Sequence, residues 1–256
     1  MNTEFKILIP ARFASERLPG KPLRDVAGKP LIQRVYECAD ASLASGVTVA
    51  TDDDGIYQAV VDFGGAACMT SKDHTNGTER LAEAIECLAY ADDTIILNLQ
   101  GDEPLIPVAL INQVAQCLED HPESVISTAC CPLDSVREHQ DPNVVKVVRD
   151  QKGRAQYFSR APIPWFRDAQ DNMPSGGRWS VAKRHLGIYA YRAGYLRRFC
   201  DLTASPTEEV EKLEQLRALW YGDEITVCDA IEKPGPGVDT LSDLAEVIHI
   251  FELNES

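Results

Sequence analysis

The sequence contains no C-x-x-C pair and no paired-histidine motif, although it carries eight cysteines in 256 residues. A zinc site is therefore not expected. Cys38, Cys68, Cys87, Cys117, Cys200 and Cys228 stand singly in apolar stretches, and Cys130-Cys131 is a vicinal pair. That scatter suits free thiols packed as small hydrophobes. No apolar run approaches the ~20 residues that span a bilayer. Met1-Asn2-Thr3-Glu4-Phe5-Lys6 lacks the basic start and apolar core of a secretory signal. The expectation is a cytoplasmic protein without membrane insertion. Positive charge is scarce too: 25 Lys and Arg against 40 Asp and Glu leave a formal charge of −15. Such a field repels nucleic acid, and no nucleic-acid partner is expected. Two familiar nucleotide loops are missing. No G-x-G-x-x-G follows the first apolar run, and a P-loop ending at Gly20-Lys21 would need glycine where Ser15 stands.

What is present is an alternation of apolar runs and helical spacings. Strands are predicted at 5–10, 47–51, 68–70 and 94–99, and helices at 31–41, 56–63, 78–91 and 107–118. In the helix from Thr78, the residues Leu81, Ala84, Ile85 and Leu88 share one face. Strands alternating with helices of this length make βαβ units and a largely parallel sheet covered on both faces. The second half is less regular. Strands are expected at 144–148, 186–191 and 225–228. An amphipathic helix is expected over 209–220, with Val210, Leu213, Leu216 and Leu219 inward, and a closing helix over 241–251. A polar stretch from Arg167 to Arg184 is long enough to suggest a functional or disordered loop. There is no linker or repeat, so one domain spanning 1–256 is expected, with an inserted lobe at about 131–200.

Three loops carry candidate chemistry. Ile7-Leu8-Ile9-Pro10-Ala11-Arg12 runs into Arg17-Leu18-Pro19-Gly20-Lys21-Pro22, placing three cations at a strand's carboxyl end in an otherwise acidic chain. Fixed cations and free backbone N–H groups there suit a polyphosphate. Gln100-Gly101-Asp102-Glu103-Pro104 follows the strongest strand. Asp102 stands where a hard oxygen ligand holds Mg²⁺ against phosphates, and the same residues also make a plain turn with Asp as a cap. Pro234-Gly235-Pro236-Gly237-Val238-Asp239-Thr240 follows a late strand. Thr240-x-x-Asp243 fits a capping box, which frees Asp239 either for a metal or for the turn alone.

Taken in order, these loops join further motifs: His74 with Gly77-Thr78-Glu79-Arg80, Asn98-Leu99-Gln100-Gly101-Asp102-Glu103-Pro104, Tyr157-Phe158-Ser159-Arg160, Arg184-His185-Leu186-Gly187-Ile188-Tyr189, Leu213-Glu214-Gln215-Leu216-Arg217 and Gly237-Val238-Asp239-Thr240. The set, spread over about residues 5–250, resembles the 3-deoxy-D-manno-octulosonate (Kdo) cytidylyltransferases, the CMP-Kdo synthetase family. One departure is Asn76, where the family usually has Ser.

The resemblance implies a three-layer α/β/α fold of the nucleotide-diphospho-sugar transferase type. Its mostly parallel Rossmann-like sheet would carry an inserted mixed α+β dimerisation lobe. It implies transfer of CMP from CTP to the anomeric hydroxyl of Kdo, releasing pyrophosphate and activating Kdo for lipopolysaccharide synthesis. By the same resemblance Pro10, Ala11, Arg12, Arg17 and Lys21 hold the triphosphate. Asn76, Arg80 and Gln100 surround the base and ribose, and Asp102 and Asp239 bind Mg²⁺. Arg12, Lys21, Asp102 and Asp239 form the catalytic set, because charge builds on phosphate oxygens during in-line attack. Arg160, His185, Tyr189, Glu214 and Gln215 match acceptor-site positions. Each also reads as ordinary packing or a solvated helix face. The family usually dimerises, and Ile163, Trp165, Phe166 and Trp179 give the lobe an apolar surface for that purpose. A cytidylyltransferase for 8-amino-Kdo or a sialic acid, or a silent nucleotide sensor on this scaffold, are the competing readings.

Overall fold

The computed structural model describes residues 3–14, 18–74, 76–167 and 181–254. Arg17, Trp179 and most of the polar stretch between 167 and 184 lie outside the described residues. The chain opens with strand β1 (Phe5–Ala11). A 3-10 turn at Lys21–Leu23 and a small hairpin, β2 (Asp25–Val26) and β3 (Lys29–Pro30), lead into helix α1 (Leu31–Asp40). Then follow β4 (Val47–Thr51), α2 (Asp54–Asp62), β5 (Ala67–Met69), α3 (Gly77–Cys87), β6 (Ile95–Asn98) and α4 (Val108–Glu119). The second half contributes β7 (Ile126–Pro132), α5 (Val136–Gln140), β8 (Lys146–Arg149), β9 (Ala155–Ser159) and β10 (Lys183–Arg192). It ends with α6 (Ala193–Asp201), α7 (Pro206–Glu211), α8 (Leu216–Trp220), β11 (Ile225–Asp229) and α9 (Leu241–Asn254).

The main sheet runs β11-β7-β10-β6-β1-β4-β5. Within it β6, β1, β4 and β5 are mutually parallel, as are β7 and β11, whereas β10 is antiparallel to both β6 and β7. The alternation of β1 explains the layers. Phe5, Ile7 and Ile9 pack with residues of α1, α2, α4 and α9 on one face. Leu8 points to the other, against Leu81, Ala84 and Ile85 of α3 and Leu196 and Phe199 of α6. Leu81 and Ile85 are fully buried, and truncating either to Ala is expected to cost about 2–5 kcal/mol. The fold is therefore the three-layer α/β/α sandwich expected.

Within the 131–200 span expected as an insert, β10 and α6 belong to the main layers. The β8–β9 ladder branches from the start of β10, where Lys183 and Arg184 pair with Val147 and Lys146. Lys146 is fully buried, and its ammonium donates to the carbonyls of Asp141, Val144 and Arg160, knotting this branch together. Phe166 packs on His139 with ring centroids 5.4 Å apart, while Trp165 is 65% exposed.

One expected element is corrected. The helix over 209–220 is two short helices, α7 and α8, separated by Lys212 at φ 52°. Val210, expected inward, is exposed. The break has a physical reason in what the flanking carboxylates bind. Glu211 accepts from Ser159 Oγ at 2.5 Å and from Arg160 N at 2.9 Å, on the β9 side. Glu214 accepts from Thr78 Oγ1 at 2.6 Å, on α3. A continuous helix holds positions three apart on one side, whereas these two face different elements. The capping box expected at Thr240 is present in both halves: Asp243 N donates to Thr240 Oγ1 (3.2 Å) and Thr240 N to the Asp243 carboxylate (2.8 Å).

Candidate active site

Ligands in open α/β sheets bind beyond the carboxyl ends of the strands. At that edge β1 releases Arg12, β4 releases Asp52, β6 releases Gln100 to Asp102, and the loop after β11 returns with Asp239. All of these but Asp52 border a cleft of about 470 Å³ whose lining includes Pro10, Ala11, Arg12, Lys21, His74, Asn76, Arg80, Gln100, Asp102 and Asp239. Every expected nucleotide-site residue except Arg17, which lies outside the described residues, thus shares one cleft. Gly101 permits its floor. A Cβ there would stand 3.0 Å from the Pro10 carbonyl oxygen, so any other residue would push the β1 and β6 loops slightly apart.

The centre of the cleft is an ion triad. Lys21 Nζ lies 2.7 Å from Asp102 Oδ2 and 3.2 Å from Asp239 Oδ1. Val238 N donates to the Asp102 carbonyl at 2.8 Å, tying the two acidic loops together. Glu103 is the third carboxyl nearby. Burial, then the charges of Asp102 and Asp239, push it up to about 7. A pair of carboxylates with room beside them for phosphate suits a hard cation such as Mg²⁺, which takes one or two carboxylates and fills its shell with water and phosphate oxygens. The donor set therefore fits that ion.

Asn76 is the N-cap of α3: its side chain accepts from Glu79 N at 2.9 Å. Asn and Ser cap equally well, so the departure at this position keeps the helix start intact. Arg80 is 3% exposed, its guanidinium held by Asp52 Oδ2 at 2.6 Å and Thr70 Oγ1 at 2.5 Å. His74 Nε2 meets Glu83 Oε2, which also accepts from Ser71 N at 2.7 Å. This bracing ties the loop before α3 to the helix.

The residues expected at the acceptor site divide. Tyr189, Glu214 and Gln215 line a second pocket of about 220 Å³, together with Thr78, Asn98 and Tyr191. This pocket shares Gly77 and Gln100 with the nucleotide cleft. Burial raises the Glu214 carboxyl above its ordinary range and lifts the Tyr189 phenol far enough to keep it neutral. His185 and Arg160 do not join them. His185 is buried with Nε2 2.9 Å from Thr128 Oγ1. The Thr128 hydroxyl has one proton, which Ile188 O takes at 2.7 Å, so Nε2 is the donor to Thr128. Burial pushes this imidazole down to about 3, leaving it neutral. Its ring lies 5.3 Å from that of Tyr189, and it lines a separate cavity with Gln100, Glu103 and Arg184. Arg160 spends its guanidinium on backbone carbonyls, Glu211 O at 2.8 Å and Pro142 O at 3.0 Å.

Sequence reasoning missed Asp52, Glu103, Asn98 and Tyr191. The strand-end rule that picked Asp102 would also have found Asp52 after β4. Asn98 and Tyr191 required the β6–β10 register, which the sequence does not print.

Comparison with known proteins agrees with this geometry. A model of the cytidylyltransferase family matches residues 6–225. The chain is 51% identical to the 3-deoxy-manno-octulosonate cytidylyltransferase of Nitrosococcus oceani over 254 residues, covering 98% of each. It is 54% identical to that of Proteus mirabilis over 240 residues, covering 94% of each. Among solved structures it resembles a CMP:2-keto-3-deoxy-manno-octonic acid synthetase complexed with CTP, at a TM-score of 0.88 and 41% identity, covering 98% of this chain and 99% of that one. The chain therefore belongs to the 3-deoxy-manno-octulosonate cytidylyltransferase family.

Proposed function

We propose that this chain transfers CMP from CTP to Kdo, giving CMP-Kdo and pyrophosphate. The observation that carries the reading is the Lys21–Asp102–Asp239 triad in a cleft that opens through Gly77 and Gln100 onto a polar pocket. Such a pair of sites holds a triphosphate and a hydroxylated acceptor side by side. The anomeric oxygen of the sugar forms the new bond to the α-phosphorus, and the bond from that phosphorus to pyrophosphate breaks. Arg12, exposed at the end of β1, and Lys21 meet the phosphate oxygens, where negative charge grows along the reaction. Arg17, close by in the sequence, is expected to join them. Asn76, Arg80 and Gln100 frame the base and ribose. Asp102 and Asp239 would hold Mg²⁺, which when bound offsets phosphate charge and lowers the pKa of the attacking hydroxyl.

Tyr189, Glu214 and Gln215 receive the sugar, while His185 packs on Tyr189 and Arg160 holds the Glu211 and Pro142 carbonyls. No helix among the described residues is long and apolar enough to cross a membrane, and CTP supply places the reaction in the cytoplasm. The working unit is a homodimer joined through the lobe that carries Trp165. Pyrophosphate release with CTP and a panel of Kdo, 8-amino-Kdo and sialic acid tests the assignment. The expected result is turnover with Kdo far above the others. Turnover with none of them would favour a nucleotide sensor.

A further inference from the structure

Asn98 occupies a position that the strand pattern assigns to the core. On β6 it lies two residues after Ile96, and alternation puts both side chains on the face that packs against α3 and α6. Ile96 is fully buried there among apolar neighbours, and Asn98 is only 4% exposed. Its Oδ1 is sealed from solvent and has no hydrogen-bond partner among the described residues. Such an atom is costly to leave unpaired, and native structures rarely do so without a use for it. The β10 register sets Tyr189 directly opposite, and both residues line the 220 Å³ acceptor pocket. The Thr78 hydroxyl, which lines the same pocket, is committed to Glu214 at 2.6 Å.

The charges around the pocket orient its occupant. None of its lining residues is Lys, Arg or His, and Glu214 is the one ionisable carboxyl among them. An acid sugar placed there carboxylate-first would set two anions together in a buried site. Arg12 and Lys21 stand instead in the adjoining cleft.

We propose that Asn98 is a specificity-determining residue for the acceptor. Its carboxamide hydrogen-bonds a hydroxyl of the sugar's neutral polyol portion, while the carboxylate and anomeric end point to the cationic cleft. This inference rests on the activity proposed above. Asparagine suits the position better than aspartate, whose charge would add to that of Glu214.

The test is steady-state pyrophosphate release by the full chain with CTP and Kdo. It is repeated with analogues of Kdo that each lack one hydroxyl of the polyol portion. Asn98→Leu is expected to raise KM for Kdo about tenfold, the worth of one hydrogen bond. KM for CTP should stay within about twofold. One deoxy analogue, poor for the wild type, should serve Asn98→Leu as well as Kdo does. The proposal is overturned if every deoxy analogue keeps its wild-type penalty in Asn98→Leu, or if KM for CTP rises as much as KM for Kdo. Should Asn98→Leu fail to fold, Asn98→Ser carries the same comparison, because it keeps a polar group but loses the reach. Wild-type enzyme inactive with Kdo would overturn the activity itself, an outcome distinct from normal wild-type turnover with an indifferent variant.

Discussion

Lys21 Nζ stands 2.7 Å from Asp102 Oδ2, joining two loops 81 positions apart in the chain. With Asp239 at 3.2 Å from the same ammonium, one cation serves two carboxylates. Asp102→Asn and Asp239→Asn are each expected to lower kcat by about 10² or more with the fold intact, the usual loss when metal-borne charge stabilisation goes. Near-normal turnover of either variant at saturating Mg²⁺ would refute the metal assignment.

The same triad makes a prediction that needs no turnover. Lys21→Met removes the ammonium that both carboxylates contact. In metal-free buffer its melting temperature should fall below that of the wild type. Added Mg²⁺, by binding the folded state, should then raise it by more than it raises the wild type. Equal Mg²⁺ shifts in the two proteins would show that Lys21 does not neutralise this pair.

Base choice follows from the cleft's polar lining. A site built to hydrogen-bond one base edge rejects analogues that leave its polar groups unpaired. CTP should be strongly preferred over ATP and GTP, with UTP a weak substitute. Comparable rates with a purine triphosphate would show that Asn76, Arg80 and Gln100 do not frame the base.

His185 predicts part of the acid limb of stability. Burial pushes its imidazole down to about 3 in the folded chain, below the ordinary value near 6.5. Between these values the unfolded chain binds a proton that the folded chain refuses, so this group lowers stability as pH falls from about 6.5 towards 3. Above 6.5 it contributes no pH dependence. His185→Gln retains a side-chain amide for Thr128 and should flatten the urea-midpoint profile across that window. An unchanged slope would place the acid sensitivity elsewhere.

Trp165 tests the proposed dimer. At 65% exposure it is a large apolar side chain open to solvent on the lobe, beside a Phe166 that packs inward on His139. Light scattering at micromolar concentration should give the mass of two chains, and Trp165→Asp should reduce it to one. A dimer indifferent to Trp165→Asp would move the interface to another surface.

How much of this was legible depended on where each residue's partner lies in the chain. β1, β4 and β6 are short apolar runs buried on both faces, and such runs announce themselves. β7, with Ser127, Thr128 and two cysteines, hides its burial behind small polar residues whose hydroxyls are satisfied by carbonyls of other elements, Ser127 Oγ by Val114 O at 2.7 Å for one. The break at Lys212 was invisible because its cause lies in Ser159 and Thr78, far away in sequence. Asp102 and Asp239 were readable because strand-end loops concentrate function. The fate of Arg160 was not, since its family position and its contacts to Glu211 and Pro142 are separate facts. Asn98 was quoted in a motif yet given no task, because an amide at a strand's end looks like a turn residue until the opposite strand is in place.

The antiparallel strand β10 has a consequence for how the chain acquires its shape. β5, β4, β1 and β6 come from the first hundred residues and are joined by local βαβ crossovers, so they can assemble while the chain is still being made. The outer flank of β6 then offers unpaired backbone N–H and C=O groups until residues 183–192 are synthesised and slot in between β6 and β7. During that interval the nascent half-sheet is an open edge, prone to pairing with a neighbouring copy. Closing that edge is also the event that sets Tyr189 opposite Asn98, so the pocket they both line is born at the moment the aggregation hazard ends.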